Sequence, residues 1–180
     1  MKTAFDWLRE FCTLIFAVHC HRQGLMAPRM QKQESSSPTD STSSTLRVRY
    51  AETDQMGVVY YANYFVWFEV GRTDLCRQRG FAYRDMEKND GLCIIVAEAR
   101  CRYHSPARYD DEIEVCTSLS ALRRRVITFE YEIRRMSDDE ILAEGETVHV
   151  ITDLAGRPRA LPEKYRQLLA GGQAAGSAGT

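Results

Sequence analysis

The chain has 180 residues, enough for one well-packed domain and short for two large ones. Its 44% hydrophobic and 27% charged content is that of an ordinary globular protein. A formal net charge of -1 lacks the basic excess that nucleic-acid binding needs, so nucleic acid is not expected as a partner.

Residues 1–30 read as an N-terminal extension. Ala4, Trp7, Leu8, Phe11, Leu14, Ile15 and Val18 follow the three-and-four spacing of an amphipathic helix. Such a helix could bring residues 1–20 to a membrane surface or a partner; an unstructured extension or a cleaved targeting segment are the alternatives. Phe11 to Val18 is too short to span a bilayer, and Asp6, Arg9 and Glu10 interrupt any signal-like core. Residues 31–45, rich in Ser, Thr, Gln and Pro, read as a flexible linker.

Leu46 to Ala51 fits a first strand. Tyr64 to Arg79 carries Phe65, Phe68, Arg72, Leu75 and Cys76 around a helical repeat, with Gly80 as its stop. Leu92 to Tyr103, Ile113 to Ala121, Val126 to Arg135 and Ile141 to Thr152 hold the β-branched and aromatic residues of successive strands. Turn residues fall between these runs, at Ser105-Pro106, Asp110-Asp111 and Ser137-Asp138-Asp139. Leu161-Pro162-Glu163 opens a short helix, and residues 171–180 read as a disordered tail. The order strand, helix, four strands, helix is that of an α+β fold. Cys12, Cys20, Cys76, Cys93, Cys101 and Cys116 lack paired short spacings and any CxxC, so they are read as reduced, with no metal site.

One stretch looks like chemistry: Tyr50-Ala-Glu-Thr-Asp54-Gln-Met-Gly57-Val-Val-Tyr-Tyr61-Ala-Asn63-Tyr64. It sets the Asp54 carboxylate between a strand and the aromatic start of a helix, whose N-terminal N–H groups can polarise a carbonyl. A carboxylate held partly away from water becomes a stronger base or a nucleophile. The plainer reading is that Asp54 caps the turn. Gly57, Val58 and Val59 offer backbone N–H groups as oxyanion donors or simply form a tight turn. Asn63 could cap the helix or touch substrate.

Arg47 to Tyr64, Glu69-Val-Gly-Arg72 and Tyr103 to Asp111 together resemble the hydroxybenzoyl-CoA thioesterase family of hotdog-fold proteins, closest to the Tol-Pal-associated acyl-CoA thioesterase branch. The resemblance places the thioesterase domain at 46–170. It implies a curved antiparallel five-stranded sheet wrapped around a central helix, and hydrolysis of a small aromatic or short- to medium-chain acyl-CoA.

By the same resemblance Asp54 is the catalytic carboxylate and Tyr50 a residue that orients it or fills the core. Tyr61 stands where that branch typically has histidine, and with an ordinary pKa near 10 it is a poor proton shuttle. Glu69 is a reserve catalytic carboxylate, with an Arg72 ion pair as its structural alternative. Arg123 and Arg124 could meet the phosphates of coenzyme A, which enters only as part of the substrate, so no cofactor is expected. A cytoplasmic homodimer or homotetramer with sites at subunit boundaries is expected. The missing histidine keeps a second reading open, a non-hydrolytic acyl-CoA binding or regulatory module.

Overall fold

The structure, a computed structural model, describes residues 41–171. Strand β1 spans Ser41–Arg47 and a single 3-10 turn follows at Tyr50–Glu52. Helix α1 runs Asn63–Gln78 and helix α2 Tyr83–Asp90. Then come β2 (Leu92–Tyr103), β3 (Glu112–Leu122), β4 (Val126–Arg135), β5 (Glu140–Asp153) and helix α3 (Glu163–Leu169). The five strands form one sheet in the order β1-β3-β4-β5-β2, with every pairing antiparallel. Helix α1 packs on β1 and β3 and touches β2 and β4. This is the arrangement implied by the resemblance.

The sheet curves because its ladders slip at three places, between Val96 and Glu98, Leu119 and Ala121, and Ile133 and Arg134. Its inner face follows the period of two: Ile113, Val115 and Thr117 on β3, and Ile127, Phe129, Tyr131 and Ile133 on β4, are all buried. Helix α1 answers with Tyr64, Trp67, Phe68, Gly71, Arg72, Leu75 and Cys76. The Phe68 ring stacks on Tyr131 at 4.3 Å between centroids.

Two elements differ from expectation. The first strand is Ser41–Arg47, not Leu46 to Ala51, so its start lies inside the stretch read as linker. Composition misled here because the inward residues are small and polar. Thr42 Oγ1 donates to Gln78 Oε1 at 3.0 Å and Ser44 Oγ to Asp74 Oδ2 at 2.8 Å, so burial against α1 leaves neither hydroxyl orphaned. Helix α2 was not anticipated at all. It is short and polar, buries Met86 alone, and ends on Gly91 at φ 62. Residues 1–40 and 172–180, with the expected amphipathic extension and tail, lie outside the described residues. The four described cysteines, Cys76, Cys93, Cys101 and Cys116, are free. Among the described residues no helix is long and apolar enough to cross a membrane.

His149 on β5 is fully buried, its Nε2 bonded to Thr147 Oγ1 at 2.8 Å. Burial, aided by the Arg72 cation, pushes its pKa down to about 4. The folded state therefore resists a proton that the unfolded chain takes up near pH 6.5. This contribution to stability is complete above pH 6.5 and is lost as pH falls from 6.5 toward 4, a loss of roughly 3 kcal/mol. Thermal melts between pH 8 and pH 4 should show this dependence, and His149→Gln should flatten it.

Candidate active site

After β1 the chain leaves the sheet, and Val48 exchanges hydrogen bonds with the 110–111 segment: its N–H donates to Asp111 O at 2.9 Å and its carbonyl accepts from Asp110 N at 3.1 Å. Past the 3-10 turn a short hairpin forms, bridged at Thr53 and Val59. Asp54 N–H donates to Val58 O at 2.9 Å and Gly57 N–H to Asp54 O at 3.0 Å, enclosing Gln55, Met56 and Gly57. Gly57 sits at φ 71, the left-handed position that such a three-residue loop requires.

Asp54 is half-buried at the base of this hairpin. Its Oδ1 accepts the Met56 N–H at 2.8 Å, which is the turn-capping contact. Its Oδ2 has no hydrogen-bond partner among the described residues and is free to meet a water or a carbonyl carbon.

The expected oxyanion donors are sorted by these bonds. Gly57 N–H is taken by Asp54 O, and Val59 N–H by Ala107 O at 2.9 Å. Neither is available in this conformation, which corrects the expectation for those two. Val58 N–H has no acceptor among the described residues. The same holds for Tyr61 and Ala62, just ahead of α1, which give residue numbers to the N–H donors expected at the helix start.

Tyr60 N–H donates to Glu52 O at 2.9 Å, which closes the hairpin's return arm onto the 3-10 turn. Asn63 Nδ2 donates to the same carbonyl at 2.8 Å. Asn63 thus anchors the helix start and is not its cap, since the N-cap position is Ala62. Glu52 itself was missed. It is only 6% exposed, and its carboxylate accepts from Arg49 N and Arg49 Nη2, both at 2.8 Å, and from Trp67 Nε1 at 3.3 Å. Burial alone would raise its pKa, but the Arg49 bonds and the Trp67 indole outweigh that and hold it below the usual carboxylate value.

Tyr50 does not orient Asp54 and does not fill the core. It is 77% exposed, with its ring edge-on to Tyr109 at 5.6 Å. Tyr61 is also exposed, its ring tilted against Tyr60 at 4.5 Å, and its carbonyl accepts from Tyr103 Oη at 3.0 Å. Tyr64 is buried under the site and its hydroxyl accepts the Ala107 N–H at 3.2 Å. Arg135 secures that neighbouring segment through Pro106 O at 2.9 Å and Asp111 Oδ2 at 3.2 Å. Glu69 is exposed on α1 and pairs with Arg72 at 3.3 Å, its structural alternative. His104 Nε2 lies 3.0 Å from Glu144 Oε2.

Arg123 and Arg124 are exposed in the β3–β4 turn and form no ion pair among the described residues. The turn is tied down by Arg123 N–H on Val126 O and by Leu161 N–H on Arg124 O, both at 2.8 Å. It is not beside Asp54. The Asp54 hairpin follows the end of β1 that pairs Arg47 with Glu112, whereas the arginines follow the opposite end of β3. An eleven-residue strand separates them by on the order of 30 Å. Among the described residues no cluster of His, Cys, Asp and Glu has metal-site geometry.

Residues 48–169 match the sequence profile of the thioesterase-like superfamily. The chain is 33% identical to the acyl-CoA thioester hydrolase YbgC of Escherichia coli O6:H1, over 66% of this chain and 87% of that protein. Among solved structures it is similar to the DHNA-CoA thioesterase of Staphylococcus aureus, with a TM-score of 0.65 and 33% identity over 67% of this chain and 80% of that one. The 4-hydroxybenzoyl-CoA thioesterase of Pseudomonas sp. strain CBS-3 shares the fold, with a TM-score of 0.67 at 21% identity over 72% of this chain and 99% of that one.

Proposed function

This chain belongs to the thioesterase-like superfamily, with the hotdog fold, and we propose that it hydrolyses acyl-CoA thioesters to a carboxylic acid and free coenzyme A. The observation that carries the reading is the half-buried Asp54, on a hairpin clamped to a helix start, where among the described residues Asp54 Oδ2 is uncommitted and the Tyr61 and Ala62 N–H groups lack acceptors. Relatives with 33% identity are named as hydrolases of acyl-CoA or DHNA-CoA thioesters.

In the proposed reaction the Asp54 carboxylate either takes a proton from a water that adds to the thioester carbonyl, or itself adds to that carbonyl and expels the coenzyme A thiolate, leaving an anhydride that water then cleaves. Uncommitted N–H groups at Val58, Tyr61 or Ala62 hold the negative oxygen of the tetrahedral intermediate. The C–S bond then breaks and the thiolate of coenzyme A takes up a proton. No cofactor enters these steps. Small aromatic and short- to medium-chain acyl groups are the proposed substrates, on the aromatic setting of Tyr60, Tyr61, Tyr64 and Tyr103. A panel of such thioesters, assayed for release of free thiol, tests this; tight binding without turnover of any member would favour a binding module instead.

The separation of Asp54 from the arginine turn bears on assembly. A single chain cannot place one coenzyme A against both, so the phosphate contacts of Arg123 and Arg124 belong to a site completed by a second copy. The exposed edge strand β2, with Ile95 46% and Val96 45% exposed, offers the surface for that pairing. A homo-oligomer is therefore part of the reading, and light scattering tests it. Replacing Arg123 and Arg124 together by Ala should raise KM for acyl-CoA by about five- to tenfold, with kcat unchanged and the salt dependence of KM weakened. A cytoplasmic setting is part of the same reading. Contact of residues 1–20 with a membrane surface is left to a liposome-binding assay with and without that segment.

A further inference from the structure

The carboxylate nearest in sequence to Asp54 is Glu52, and the proposed reaction makes no direct use of it. It is nonetheless the most heavily bonded residue around the site. Its carbonyl accepts from Tyr60 N on the hairpin's return arm and from Asn63 Nδ2 at the first residue of α1. Its side chain, 7% exposed, takes Arg49 N–H and Arg49 Nη2 on one side and the Trp67 indole N–H on the other. One residue thus connects the exit of β1, the 3-10 turn, the hairpin and the first two turns of α1.

We propose that Glu52 is a positioning residue for the thioesterase reaction, fixing the Asp54 carboxylate relative to the Tyr61 and Ala62 N–H groups by bolting the hairpin base to helix α1. This rests on the reading of Asp54 given above. The hairpin's return arm is also tied to Ala107 O through Val59 N–H, but onto helix α1 the Glu52 carbonyl supplies one side-chain attachment, at Asn63. The carboxylate supplies the second attachment, one turn further along the helix at Trp67. A buried, unpaired carboxylate would be costly, and it is retained here because three N–H donors satisfy it. Two Arg49 donors lie on the strand side and one Trp67 donor on the helix side, so neutralising Glu52 weakens both attachments at once.

The misplacement this allows need only be small, since an error of about 1 Å between reacting groups costs on the order of a hundredfold in rate. Glu52→Gln is therefore expected to lower kcat by about ten- to hundredfold with KM changed less than about twofold. The protein should remain folded at the assay temperature by circular dichroism. Arg49→Met, which removes a solvent-exposed donor from the same carboxylate, is expected to lower kcat several-fold in the same sense.

A structural role alone would lower the melting temperature of both variants and leave kcat per folded molecule at the wild-type value, and that result overturns the proposal. If Glu52→Gln does not fold, Arg49→Met decides: a reduced kcat supports the assignment and an unchanged one overturns it. Asp54→Asn, run alongside, keeps the two readings apart. Loss of turnover in Asp54→Asn with full turnover in Glu52→Gln removes only the Glu52 assignment. Full turnover in Asp54→Asn removes the Asp54 role and the Glu52 assignment with it while leaving the thioesterase reading, and no turnover in the wild type removes the thioesterase reading and both residue assignments.

Discussion

Gly145→Ala is expected to destabilise the protein by about 3 kcal/mol or more, lowering its melting temperature by about 10 °C or leaving it insoluble. A Cβ at this position on β5 would lie 2.3 Å from Phe68 Cζ and 2.8 Å from the Arg100 carbonyl oxygen. Neither neighbour can give way. Phe68 is fully buried and stacked on Tyr131, and Arg100 is the ladder partner of Glu146 on the adjoining strand. Gly71 on α1 is a gentler case. Its added Cβ would meet Thr117 Oγ1 at 2.2 Å and Val115 Cγ1 at 3.0 Å, so the main obstacle is one hydroxyl that has no hydrogen-bond partner. Thermal melts should therefore show Gly71→Ala largely rescued by Thr117→Ala. Gly145→Ala should gain little from Phe68→Leu, because the backbone oxygen remains. These two glycines set how closely the sheet wraps the helix.

Much of this fold is legible in the residues, and the exceptions have definite causes. The strands β2 to β5 and helix α1 fall within about a residue of their expected bounds because β-branched and aromatic residues mark the strands and the helical repeat of apolar residues marks the helix. β1 escaped because Thr42 and Ser44 are buried by hydrogen bonding to Gln78 and Asp74, which no hydrophobic pattern announces. Helix α2 escaped because it buries only Met86. At the site, Gly57 marks the tight turn at Asp54. The function of Glu52 depends on an indole fifteen residues away in sequence, and an acidic residue beside a turn reads by default as solvated. Tyr50 shows the converse error. Position within a motif does not say which side of the sheet end a side chain occupies, and Tyr50 in this chain lies outward against Tyr109.

Asp54→Asn should reduce kcat by about a thousandfold or more while leaving the fold intact. The change is structurally mild because the amide oxygen of Asn can still accept the Met56 N–H that Asp54 Oδ1 now takes, and the hairpin's backbone bonds involve no side chain. It is chemically severe because an amide neither attacks a thioester nor removes a proton from water. The direct measurement is coenzyme A release from an acyl-CoA that the wild type hydrolyses, compared between wild type and an Asp54→Asn variant of equal melting temperature. Steady release by the wild type and none above background from the variant is the expected result; equal release by the two proteins would contradict a catalytic role for Asp54.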